Sequence, residues 1–239
     1  MKNLITFSQV GSILDDFKEV LPYSNLNKIP EWYRKINFFS NENNRFELKN
    51  GTPQESIKAC VPFFDAITSG YTIPTWADIY VENSTDNEKI INWMEGLTIT
   101  PIDGHGHRQF SGVPIPEEYD KNMAFKWINL YHIKTPPGYS CLFLSPFFQK
   151  ENNFWIIPGI VDTDKYDNII NFPFFLKNNF EGIISAGTPM VQVFPFKREE
   201  WKMKIKSNFE KEKSFADEKR QRKFINFYRK KFWVPKKYE

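Results

Sequence analysis

The sequence predicts a mainly β fold, a short-stranded sandwich or small folded barrel, followed by a long amphipathic C-terminal α-helix. Three observations carry this. Fourteen of the 16 prolines fall between Pro30 and Pro195, and internal prolines at that density cannot sit inside long helices. Between them lie short segments rich in Ile, Val, Phe, Tyr and Trp, the residues that fit a pleated, half-buried surface. Beyond residue 197 only Pro235 remains, and apolar residues recur at helical spacing: Trp201, Ile205 and Phe209, then Phe224, Phe227 and Tyr228.

The first element expected is a helical segment at about 30–36, where Pro30 leads into Glu31-Trp32-Tyr33-Arg34-Lys35 and its fixed φ suits a first turn. Strands are expected at 72–81, 97–102, 124–133, 140–144, 154–161, 169–176, 182–185 and 190–196. Residues 84–94 read as a short helix or a loop insert. No βαβ alternation appears, which argues against a parallel sheet. The tail from Arg198 to about Trp233 reads as the long helix, with Lys, Arg and Glu on its other face. The expected organisation is a β-rich body over 1–196 and a basic helical extension over 197–239.

The 239 residues suit one domain of substantial size, or one with an arm. An aromatic content of 17% argues against disorder. The net charge of +3 divides unevenly: residues 197–239 hold 16 Lys+Arg against 7 Asp+Glu, or +9, leaving −6 for residues 1–196. No apolar run is long enough for a spanning helix, and Asp15 and Asp16 come too early for a signal peptide. Two cysteines, Cys60 and Cys141, are too few for a disulfide scaffold and fit a reducing cytoplasm.

Five constellations could carry chemistry. His105-Gly106-His107 can place two imidazoles on one side of an extended strand, and with His132 they are candidate ligands for a divalent metal. The same histidines also read as loop residues bonded to backbone. In Gly159-Ile160-Val161-Asp162-Thr163-Asp164-Lys165-Tyr166, two carboxylates spaced i, i+2 could hold a cation or orient a water. Tyr166 there offers a ring for a base or sugar. The alternative is an Asx-type turn with the tyrosine packed over it. Thr135-Pro136-Pro137-Gly138 sets a rigid turn into a strand. Gln192 lies within an apolar strand and needs partners, either a ligand or backbone. The tail, with Arg220, Arg222, Lys223, Arg229, Lys230 and Lys231, could meet nucleic acid, anionic lipid or an acidic protein surface, or could be the solvated face of a packed helix. No P-loop, Rossmann fingerprint, zincin helix or Ser-His-Asp order is present.

The strings KTPPGYS (134–140), PGIVDTD (158–164), INFPFF (170–175) and GTPMVQVFPFKREEW (187–201) resemble an uncharacterised protein family of tailed phages, notably those infecting marine bacteria. KIPEWYRK (28–35) and CVPFFDAITSGYTIPTWADIYV (60–81) resemble it too, so the likeness runs over nearly the whole chain. It implies a phage source, with the host cytoplasm or the virion as location. A more distant resemblance is to trimeric deoxyuridine triphosphatase and dCTP deaminase, which share the β-clip fold. Ser69-Gly70-Tyr71, Pro137-Gly138-Tyr139, Gly159 to Asp162 and Ile184 to Gln192 look like its ordered motifs. That likeness implies a β-clip barrel, a possible trimer, ligand-binding roles for Tyr71, Asp162, Tyr166 and Gln192, and a water-orienting role for Asp162; Asp164 joins the ligand-binding candidates through its spacing from Asp162. The departures are Thr72 in place of an aspartate, Ser145-Pro146-Phe147 in place of an Arg-Ser pair, Tyr166 one position late, Thr188 in place of an acid, and an expected basic helix where the family has a glycine-rich closing arm.

Three functions follow as expectations. The first is a phage β-clip-like module that binds a small molecule or a protein without intact triphosphatase chemistry. The second is a metal-dependent or nucleotide-processing enzyme. The third is a virion or assembly component docked through the basic tail.

Overall fold

The proline-bounded apolar segments form strands in the computed structural model of the chain. The structure describes residues 3–11, 20–39, 55–84, 88–149, 153–205 and 227–239. Two compact units arise: one from Met1–Asn25 with Gly70–Arg198, the other from Leu26–Ser69 with Glu199–Glu239. The first holds 12 Lys+Arg against 17 Asp+Glu, or −5, and the second 20 against 12, or +8.

The first unit holds fourteen described strands: β1 (Thr6–Gln9), β2 (Tyr23–Ser24), β3 (Tyr71–Pro74), β4 (Ile79–Asn83), β5 (Lys89–Trp93), β6 (Ile102–His105), β7 (Tyr119–Trp127), β8 (Tyr131–Lys134), β9 (Tyr139–Leu144), β10 (Phe154–Ile156), β11 (Gly159–Val161), β12 (Phe172–Lys177), β13 (Gly182–Ile184) and β14 (Pro189–Lys197). They pair antiparallel into four sheets with orders β1-β8, β10-β12-β7-β6, β11-β9-β14-β3-β2 and β13-β4-β5. This mainly β architecture is consistent with a sandwich.

The core lies between the inner faces. Phe143 of the five-stranded sheet meets Phe172 of the four-stranded sheet with ring centroids 5.4 Å apart. Behind it Trp127 stacks on Phe174 at 4.7 Å, and Ile79, Val81 and Ile184 bring in the three-stranded sheet. β12 is buried on both faces. Phe172, Phe174 and Leu176 enter the main core, while Phe175 turns the other way into a smaller cluster with Ile115, Tyr119 and Ala124. That explains why INFPFF reads as a continuous apolar run rather than an alternation.

Three expectations change here. The strand expected at 97–102 does not form, and β6 begins only at Ile102. Residues 84–94 contain β5 rather than a helix, because Ile90 and Ile91 give the segment β propensity and its whole length pairs with β4. The segment after Arg198 is not helical as far as Ile205, and Trp201 stands 87% exposed. Trp201 and Ile205 bury little of their apolar surface there, and spacing alone does not hold a helix. Phe209 and Phe224 lie outside the described residues.

The α-helices among the described residues lie in the second unit: α1 (Glu31–Lys35), α2 (Val61–Thr68) and α3 (Phe227–Lys231). α1 falls within the segment expected at 30–36. α2 starts with Pro62 in its first turn, where a missing N–H costs nothing, and buries Val61, Ile67 and Thr68. No helix among the described residues is long and apolar enough to cross a membrane.

Candidate functional site

A dense polar constellation sits where three strand ends of the first unit meet. Pro137-Gly138 forms the centre of a type II turn: Tyr139 N–H donates to the Pro136 carbonyl at 3.2 Å, and Gly138 takes φ +86°, a value glycine accepts without strain. The Gly138 N–H donates to Asp164 Oδ2 at 2.7 Å, and the Gly138 carbonyl accepts from Arg198 N–H at 2.8 Å. The chain after β11 bends back at Asp162, whose carbonyl accepts from the N–H groups of Lys165 and Tyr166. β14 delivers Arg198 one residue past its end.

Arg198 organises this corner. Its Nη1 donates to Asp164 Oδ1 at 2.8 Å, to the Tyr139 carbonyl at 2.8 Å and to Ser140 Oγ at 2.9 Å, while Nη2 binds Asp164 Oδ2. Asp162 Oδ1 accepts from Ser140 Oγ at 2.7 Å and lies 3.3 Å from Nη1. The two carboxylates are therefore unequal. The Asp164 side chain is 6% exposed, and the Arg198 hydrogen bonds hold its carboxyl well below the usual carboxylate range. The Asp162 side chain is 52% exposed. Beneath them Thr135 and Thr163 hydroxyls meet at 2.7 Å and Thr163 Oγ1 donates to Cys141 Sγ. Burial pushes the Cys141 thiol up to about 11.

The other residues singled out in the sequence do not converge on this corner. Tyr166 stands exposed on the same bend. Gln192 is buried in β14, opposite Leu144 and Thr72, and its Oε1 accepts from Phe147 N–H at 3.1 Å. Leu144 lies four residues along β9 from Ser140, about 13 Å at a strand's rise per residue. Tyr71 pairs with Val193, so it lies on the opposite face of the five-stranded sheet from Gln192, with its ring against Phe7 at 5.7 Å.

The histidines are also dispersed. His105 ends β6 opposite Ala124 and packs on Phe110 at 5.2 Å, a ring that itself packs on the smaller apolar cluster. His107 opens the following 3-10 turn (His107–Phe110). His132 lies in a different sheet, opposite Ser8, with Nε2 3.1 Å from Asp167 Oδ1. Among the described residues no three His, Cys, Asp or Glu side chains gather as a metal site.

The face of the five-stranded sheet that carries Gln192 and Ser140 also bears an apolar patch. Ile160, opposite Leu142, is 63% exposed; Phe194 and Phe196 continue that face along β14, and Phe147 and Phe148 follow β9, with Phe148 58% exposed. Sequence reasoning missed Arg198 as the partner of Asp164. Its signal was present as a lone arginine directly after an apolar strand, but it was read with the basic tail. No protein-family model, curated protein or solved structure matches the chain.

Proposed function

We propose that this chain is a protein-binding module of phage origin rather than a hydrolase, its β-rich unit serving as the scaffold. The observation that carries the reading is the Arg198 clamp. A nucleotide hydrolase needs carboxylates free to orient water and hold Mg²⁺. Here Asp164 is spent on a guanidinium of its own chain and a backbone N–H, and Asp162 is tethered to Ser140. What the unit offers to solvent instead is the apolar face around Ile160, Phe148 and Phe196, which suits a partner recognised by burial. The phage-family likeness supports the source, and the β-clip likeness, with its missing phosphate-binding residues, agrees with this reading. The test is turnover of dUTP and dCTP with Mg²⁺, using the purified chain and the Arg198→Gln variant. No release of pyrophosphate or ammonia above buffer is expected from either protein, and release by either overturns the reading.

A second reading rests on charge. The second unit carries +8 against −5 for the first, and Arg229, Lys230 and Lys231 are exposed. A polyanion such as nucleic acid would be drawn to that unit. Binding of single-stranded DNA that weakens steeply with salt would support it, and salt-independent or absent binding would remove it.

A further inference from the structure

The geometry points to a binding cavity for a small planar aromatic anion inside the second unit, a site separate from the apolar sheet face and independent of it. The rings of Tyr33, Phe38, Phe64 and Trp233 wall a cavity of about 230 Å³, and Lys58 and Arg229 stand in the same wall. An apolar cavity of about 150 Å³ holds a benzene ring, so this one has room for one ring with a substituent or two fused rings. Aromatic walls favour a flat guest through offset and edge-on ring contacts.

The charge on the guest follows from the two cations. Lys58 Nζ donates to the carbonyls of Tyr33 at 2.9 Å and Arg34 at 2.8 Å, and sits 5.0 Å from the Tyr33 ring centroid. An ammonium has three protons, so one remains beyond those two bonds. The Arg229 guanidinium lies over the Trp233 ring at 5.5 Å, which leaves its edge available to a carboxylate. Among the described residues no carboxylate lines the cavity. The nearby Asp65 is already held by Trp233 Nε1 at 3.0 Å and Lys236 Nζ at 2.7 Å. That bond fixes the Trp233 ring as a wall. The cavity therefore presents four rings and a net positive rim, which attracts an aromatic anion and repels an aromatic cation.

The test is calorimetric titration of the full chain with 2-naphthoate, 2-naphthalenemethanol and 2-naphthylmethylammonium. Saturable one-to-one binding of the carboxylate is expected, about tenfold tighter than the alcohol, with the ammonium weakest. Arg229→Gln, at an exposed side chain, should erase most of the preference for the carboxylate while the melting curve stays unchanged. Lys58→Met is a second variant with the same expected direction, though it also loosens the end of α1. Equal affinity for the three probes, no saturable heat with the carboxylate, or a preference that survives both substitutions overturns the proposal.

Discussion

The guanidinium of Arg198 closes on the carboxylate of Asp164 through both terminal nitrogens, across 34 residues of sequence. The pair joins the end of β14 to the turn after β11, and Gly138 adds the turn before β9. Removing either partner leaves the other charge without its match at a corner where three strands end. Arg198→Ala and Asp164→Asn should each lower the melting temperature of the β-rich unit. Both losses should exceed that of Asp162→Asn, whose side chain is half exposed. Arg198→Lys should rescue poorly, because an ammonium cannot reproduce the planar fork. Thermal melts of the four variants check this order.

The same pair gives a pH dependence with a definite sign. Asp164 has its carboxyl pKa depressed in the folded chain, chiefly by hydrogen bonding to Arg198. Its contribution to stability is therefore complete above the ordinary aspartate value of about 3.9, and is lost as pH falls from there toward the depressed value. Acid titration followed by circular dichroism should show a steep loss below about pH 4 in the parent and a shallower one in Asp164→Asn.

Gly70 precedes β3 with φ +75°, and a Cβ built on it would lie 2.3 Å from the Val193 carbonyl oxygen. That oxygen belongs to a strand paired on both sides and cannot retreat. Gly70→Ala should cost at least about 2 kcal/mol, combining left-handed strain with the clash. Gly96, with φ +86° but open space around it, is the control: Gly96→Ala should cost about 1 kcal/mol. Denaturant titration distinguishes them.

Gln192 behaves as a structural side chain. Its amide oxygen accepts from Phe147 N–H, and the residue is buried. Gln192→Leu should destabilise by about 1–3 kcal/mol through the stranded donor. Phe174→Ala, which empties the stacked centre of the core, should cost about 3–5 kcal/mol. Urea unfolding of both variants gives the comparison.

The apolar face makes a prediction of another kind. Ile160→Asp combined with Phe148→Asp should leave the melting temperature nearly unchanged, since both side chains already face water. The parent should associate with itself in the micromolar range, a second copy being the partner always present, and the double variant should sediment as a monomer. A parent that is monomeric throughout would overturn self-association through this face.

The β-rich architecture was legible because proline spacing and β-branched content act locally, strand by strand. β9, β12, β13 and β14 lie close to the segments read from the sequence. α2 was not legible: Pro62 and two adjacent phenylalanines look like strand punctuation, and only the spacing of Val61, Phe64 and Thr68 hints at a helix. The site divides in the same way. Asp162 and Asp164 could be noticed as neighbours, and an Asx-type bend was one reading of them. The residue that neutralises Asp164 comes from a distant strand end, which no local pattern encodes. The separation of Tyr71 from Gln192 by a sheet face depends on strand register, set by pairing rather than by either strand alone.

The division of the chain into interleaved units has a consequence for how it is made on the ribosome. Residues 26–69 belong with 199–239, so α1 and α2 emerge long before Trp233 and Lys236, which bind Asp65. At about 5–20 residues per second, translation alone imposes a wait of several seconds or more. The β-rich unit, whose last member is Arg198, is complete first. Synthesis thus orders the two foldings: the sheets close while the second unit still lacks its later segment, and Trp233 and Lys236 complete its contacts with Asp65.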